Sequence, residues 1–164
     1  MYKEVLKRHG VTQTSEFTQK ILMYECGKLC QIEIYRERFG KSGYVGEYSR
    51  ELSDVITMLF LLGEQRGEAD VEDLERTADR MATRASKTPE DVLMMLTQLS
   101  GRLYPTDSPD FFSFLVQAIA YAKILAANQN LSWMSLVDLG LKTFDDRIAE
   151  VKLEILRDKT RNRG

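Results

Sequence analysis

The stretch Glu47–Gly63 reads as a buried helix that carries acids where a core helix should carry none. Glu51, Asp54, Val55, Met58 and Leu62 recur at helical spacing and share one stripe of an α-helix. The later part of that stripe is apolar packing surface, and the earlier part is two carboxylates. Glu47 extends the acidic end by one turn. A carboxylate that faces a helical core needs a partner, because an uncompensated buried charge costs several kcal/mol. Either a lysine or arginine supplies that partner, or a metal ion does.

The rest of the chain reads as helices around this one. Met1–His9 forms a short leading helix broken at Gly10, and Thr14 or Ser15 caps a long helix to about Arg38. A glycine-bearing loop, Phe39–Gly46, leads into the acidic helix, which ends near Gly67. Asp70 caps a further helix through about Ser86. Thr88-Pro89-Glu90-Asp91 is a start signal, with a cap, a first-turn proline and acids at the helix N-terminus. That helix stops before Pro105. Ser108-Pro109-Asp110 opens the next, through about Asn128, and Ser132 opens the last, towards Thr160. No segment alternates with period two. The fold class is all-α, a bundle of about six helices in a single domain, 1–164.

The chain also resembles itself. Gly27-Lys28-Leu29 lies over Gly101-Arg102-Leu103, Tyr48-Ser49 over Phe112-Ser113, and Val55-Ile56 over Ile119-Ala120. Asp79-Arg80-Met81-Ala82 lies over Asp146-Arg147-Ile148-Ala149. The order is kept across three helices, which reads as a tandem duplication: an acid-bearing repeat, 15–87, and a degenerate repeat, 88–160. Glu25, Glu51 and Asp54 then fall opposite Leu99, Leu115 and Ala118. Glu25 also sits on the inward stripe Leu22, Glu25, Leu29, Ile32. Three carboxylates from two helices are therefore expected to converge inside the bundle, as a hard divalent cation requires.

Composition removes several alternatives. A formal net charge of −2 gives no reason to expect a nucleic-acid partner. The apolar run Val55–Leu62 is far shorter than the roughly 20 residues that span a bilayer, and MYKEVLKRHG has no secretory core, so no membrane association is expected. Cys26 and Cys30, four apart on one helix, suit neither a disulfide nor zinc. They read as buried reduced thiols in a cytoplasmic protein. Gly40-Lys41-Ser42-Gly43 lacks the strand and the earlier glycine of a phosphate-binding loop. With His9 the sole histidine and no nucleophile elbow, a Ser-His-Asp hydrolase is not expected. Phe111, Phe112, Phe114, Tyr121 and Trp133 are expected to pack against the first repeat rather than stack on a base.

The segments Tyr24-Glu25-Cys26-Gly27-Lys28-Leu29 and Arg50-Glu51-Leu52-Ser53-Asp54-Val55 resemble the MazG-like all-α nucleoside triphosphate pyrophosphohydrolases, which include the dimeric dUTPases. The signature of that family is ExxE on one helix and ExxD on the next. The resemblance covers roughly residues 17–86. It implies Mg²⁺, with Mn²⁺ as a substitute, held by Glu25, Glu51 and Asp54 as the catalytic acids. It also implies cleavage of a small nucleotide between its α- and β-phosphates, to a monophosphate and pyrophosphate, and it allows a homodimer. Lys28 stands where the family has its second glutamate. In one reading Lys28 touches a substrate phosphate, joined by Arg80 and Arg84, which share a helix face; surface pairing with Glu75 or Asp79 is the plainer account of those two arginines. In the other, Lys28 replaces the metal, leaving a catalytically inactive nucleotide-binding, regulatory or helical assembly protein.

Overall fold

Seven helices and no strand make up the described residues, 1–40, 45–67, 71–82 and 89–161, of this computed structural model. They are α1 (Tyr2–His9), α2 (Ser15–Phe39), α3 (Val45–Arg66), α4 (Val71–Ala82), α5 (Pro89–Arg102), α6 (Phe111–Asn128) and α7 (Trp133–Arg161). The all-α bundle read from the sequence is what is found, with the leading helix as a seventh element. The expected caps Asp70 and Thr88, the Lys41–Gly43 part of the glycine loop, and Arg84 lie outside the described residues.

Local chemistry sets most of the boundaries. Gly10 and Gly67 close α1 and α3 at φ 65° and 66°, a left-handed conformation that only glycine adopts without strain. Thr14 caps α2, its hydroxyl accepting from the Phe17 amide at 3.2 Å. The start of α6 differs from expectation: Pro109 precedes the helix, and Asp110 occupies the cap position with no side-chain cap bond.

The packing places α3 at the centre. Every residue from Glu51 to Gly63 is buried, because α2, α7, α6 and α1 all lie against this helix. The pairing follows one scheme. Helix α2 packs on α3, and α5 packs on α6. Then α7 covers α3 and α4 covers α6, while α2 meets α5 and α3 meets α6. Exchanging α2, α3 and α4 for α5, α6 and α7 leaves these pairings unchanged. Each half thus sends its last helix to cover the other half's central one.

Helix α1 is the addition that breaks the scheme. It sits on α3 and α7, with Arg8 and His9 both on Asp145 at 2.8 and 2.6 Å. The N-terminal ammonium meets Glu64 at 2.6 Å. Tyr2 is buried between Phe60 and Phe144, at ring-centroid distances of 6.2 and 5.9 Å. The later aromatics also serve packing. Trp133 lies edge-on to Phe60 at 6.3 Å and donates to Glu75 at 2.7 Å, and Phe111 is buried under the Arg66 guanidinium. Phe112, by contrast, is exposed, and Phe114 and Tyr121 are half-buried.

Helix α6 is long and apolar enough, by length and composition, to cross a membrane, a feature that the sequence reading, centred on α3, passed over. Half of it is buried here against its helical neighbours, the usual situation of a core helix. Cys26 is buried and Cys30 half-buried; both are free thiols.

A glycine sets the approach of α7 to α3. A Cβ at Gly140 would strike the Thr57 hydroxyl and lie 2.8 Å from the Ser53 carbonyl oxygen, which is backbone and does not yield easily. Gly27, mid-way along α2, has open space around it instead. Gly140→Ala is therefore expected to destabilise by about 1–3 kcal/mol despite its helix-propensity gain, whereas Gly27→Ala should stabilise by up to about 1 kcal/mol. Urea denaturation of the two variants checks the opposite signs.

Candidate functional site: a buried acid centre

The three acids singled out by periodicity converge. Glu25 on α2, and Glu51 and Asp54 on α3, are only 3%, 3% and 4% exposed. One carboxylate oxygen from each lies within 4.8 Å of the others. Their helical stripes continue as buried Leu22 and Leu29 on α2 and buried Val55, Met58 and Leu62 on α3. The acids thus sit at core positions. The residues aligned with them in the second half, Leu99, Leu115 and Ala118, are equally buried but apolar.

Three cations enclose the acids. Lys28, one turn beyond Glu25, places its ammonium 3.0 Å from Glu25 Oε2 and in ion-pair contact with Glu51 Oε2. That Glu51 oxygen is fully buried, with the Lys28 ammonium as its ion-pair partner. Arg147, from α7, donates to Asp54 Oδ2 at 2.9 Å, with its other terminal nitrogen 4.0 Å from Glu25. Arg50 reaches Glu51 Oε1 at 3.3 Å. The Lys28, Arg147 and Arg50 side chains are 27%, 45% and 57% exposed. The negative charge is therefore innermost and the positive charge forms the outer layer.

Burial and neighbours pull the acids apart in strength. Burial pushes Glu25 up to about 7, helped by its hydrogen bond with Glu51 and only partly opposed by Lys28. For Glu51 burial is again the largest single influence, yet Lys28, the bond with Glu25 and Arg50 together outweigh it and hold this carboxyl below its usual range. Burial also raises Asp54, with Arg147 returning part of the shift. Lys28 loses stability as a cation through burial, but the two glutamates more than restore it and raise its pKa.

Of the residues singled out by the sequence, the structure joins Glu25, Lys28, Glu51 and Asp54 in one cluster. Arg80 stands elsewhere: it is exposed on α4, which packs on α6 and meets α3 where Leu74 reaches Gly63. Its neighbour Asp79 pairs with Lys123 at 2.6 Å. Sequence reasoning missed Arg147. The available signal was the overlay of Asp146-Arg147 on Asp79-Arg80, combined with an exchange of final helices that no single sequence displays. Comparison with protein-family models, with curated proteins and with solved structures finds no match for this chain.

The donor set suits a hard divalent cation in one respect: three carboxylates offer oxygens that lie within 4.8 Å of one another. The opposing fact is the positive layer, which any such cation must displace. The pKa pattern gives a test independent of ligands. Glu25 binds its proton more tightly folded than unfolded, so its stabilising contribution is complete below about 4.5 and is lost as pH rises towards 7. Glu51 acts in the opposite sense, contributing above its ordinary value and losing that contribution in acid. Glu25→Gln is expected to remove a decline in unfolding free energy between pH 5 and 7, measured by urea denaturation across that range.

Proposed function

We propose that the acid centre is the active site of a MazG-like nucleoside triphosphate pyrophosphohydrolase that uses Mg²⁺, with Mn²⁺ able to substitute. The observation that carries this reading is the layering of charge: three nearly inaccessible carboxylates inside, three more exposed cations outside. A metal–polyphosphate ligand has the matching order, with its cation inward and its phosphates outward. The exchanged pairing of helices supports the tandem duplication that accompanies this reading. The free thiols of Cys26 and Cys30 fit a cytoplasmic setting.

In this reading Glu25, Glu51 and Asp54 hold the cation. Magnesium bound there supplies Lewis acidity that stabilises charge on the phosphate oxygens. A glutamate of the cluster with one oxygen free of the metal would orient the attacking water. Lys28 and Arg147 both reach solvent and carry donors suited to phosphate oxygens, Arg147 through its fork and Lys28 as a point charge. Burial among leucines and valines keeps bulk water from the inner carboxylates.

A second reading is favoured by a specific observation. Each acid already has a protein cation against it, and Lys28 stands at the position of the fourth acid in the family that the sequence resembles. Such a protein keeps the fold and binds a nucleotide or partner without turnover. Product analysis of a nucleoside triphosphate panel with Mg²⁺, with and without chelator, decides between them. The hydrolase releases pyrophosphate and a monophosphate only with metal, and Glu51→Ala lowers the rate by at least about a hundredfold. A folded wild-type protein with no product across the panel selects the inactive reading.

A further inference from the structure

We infer that Lys28 and Arg147 are built-in counter-ions that make cation binding conditional on a phosphate-bearing ligand, with Arg147 tying the second half of the chain to the acid centre. The inference rests on the acid centre being a metal–nucleotide site, and it goes beyond it by assigning how that site loads.

The three carboxylates are too deeply buried to be left uncompensated, and the chain compensates them itself. A free divalent cation that enters must push the Lys28 ammonium from between Glu25 and Glu51, and the Arg147 guanidinium from Asp54. Displaced alone, both cations would stand beside a new positive charge. A polyphosphate removes that penalty, because it arrives with the metal and offers the two side chains new acceptors on the solvent side. Their partial exposure allows this movement without repacking the bundle, whereas the acids themselves are fixed in the core.

Arg147 carries the greater consequence. It comes from α7, and the close contact of Gly140 with α3 positions this helix two turns earlier on nearly the same face. It meets an acid 93 residues away in sequence. The second half, whose aligned core positions are apolar, therefore contributes a working group to the first.

The test uses the full chain and reads binding rather than turnover. Titrations with Mn²⁺ alone, and with inorganic pyrophosphate at saturating Mn²⁺, are carried out on wild type, Arg147→Gln and Arg147→Lys. Removing the charge is expected to tighten Mn²⁺ alone by roughly fivefold and to weaken pyrophosphate by roughly tenfold or more. Opposite signs are the signature, since a merely structural arginine moves both affinities the same way. Arg147→Lys keeps the charge and loses the fork, so Mn²⁺ affinity stays near wild type while pyrophosphate weakens. If Arg147→Gln does not fold by circular dichroism, the lysine variant alone decides.

In Arg147→Gln, changes of one sign or none overturn the inference; in Arg147→Lys, an unchanged pyrophosphate affinity or a weakened Mn²⁺ affinity does. Wild type that binds neither probe overturns both the inference and the proposed function. Opposite-signed effects in a protein that releases no product from nucleotides uphold the inference and sink only the hydrolase reading.

Discussion

Burying a carboxylate removes most of its hydration, and the lost energy has to be recovered from something with positive charge. In this protein Glu25, Glu51 and Asp54 impose that requirement on the interior of a helical bundle. Replacement of such a cluster by apolar side chains often costs nothing in stability. The second half illustrates the alternative, with leucines and an alanine buried at the aligned positions. What surrounds the acids is therefore organised by charge. Lys28 lies one turn along α2 because i and i+3 share a helix face, Arg50 adjoins Glu51 in the chain, and Arg147 arrives on α7.

The result is a set of groups with unequal proton affinities within a small volume. Glu25 is held near neutrality while Glu51 is held ionised, although both are buried and both touch the same ammonium. The difference lies in what each hydrogen bond favours. Both accept from Lys28, but Glu51 also accepts from Arg50, which further stabilises its charge, whereas Glu25 shares a bond with Glu51 that is best satisfied when Glu25 keeps its proton. An acid and a base are thereby separated by environment rather than by residue type.

The convergence of the acids was legible because it rests on helical periodicity. Glu25 between Leu22 and Leu29, and Asp54 beside Val55 and Met58, must face inward on any helix that buries those leucines and valines. The helix boundaries were legible for a similar reason, since Thr14, Gly10 and Gly67 act within one turn of themselves. Arg147 was not. It is half-exposed on a long amphipathic helix, and nothing nearby in sequence distinguishes it from a solvated arginine. Its role depends on which helix α7 covers, and a loop of few residues is compatible with covering either α6 or α3. The sequence points instead to Arg80, the aligned residue, which shares a helix face with Arg84. The packing takes α4 to α6.

The exchange of α4 and α7 has a consequence for how the centre behaves on dilution. The arginine and the acid it holds lie in different halves, as they would in two separate subunits, but the halves share one covalent chain. Tethering of this kind fixes the local concentration of one partner around the other, on the order of millimolar for flexible connections. An interface between independent subunits dissociates as protein becomes scarce. Here Asp54 and Arg147 meet at the same effective concentration however few copies of the protein are present.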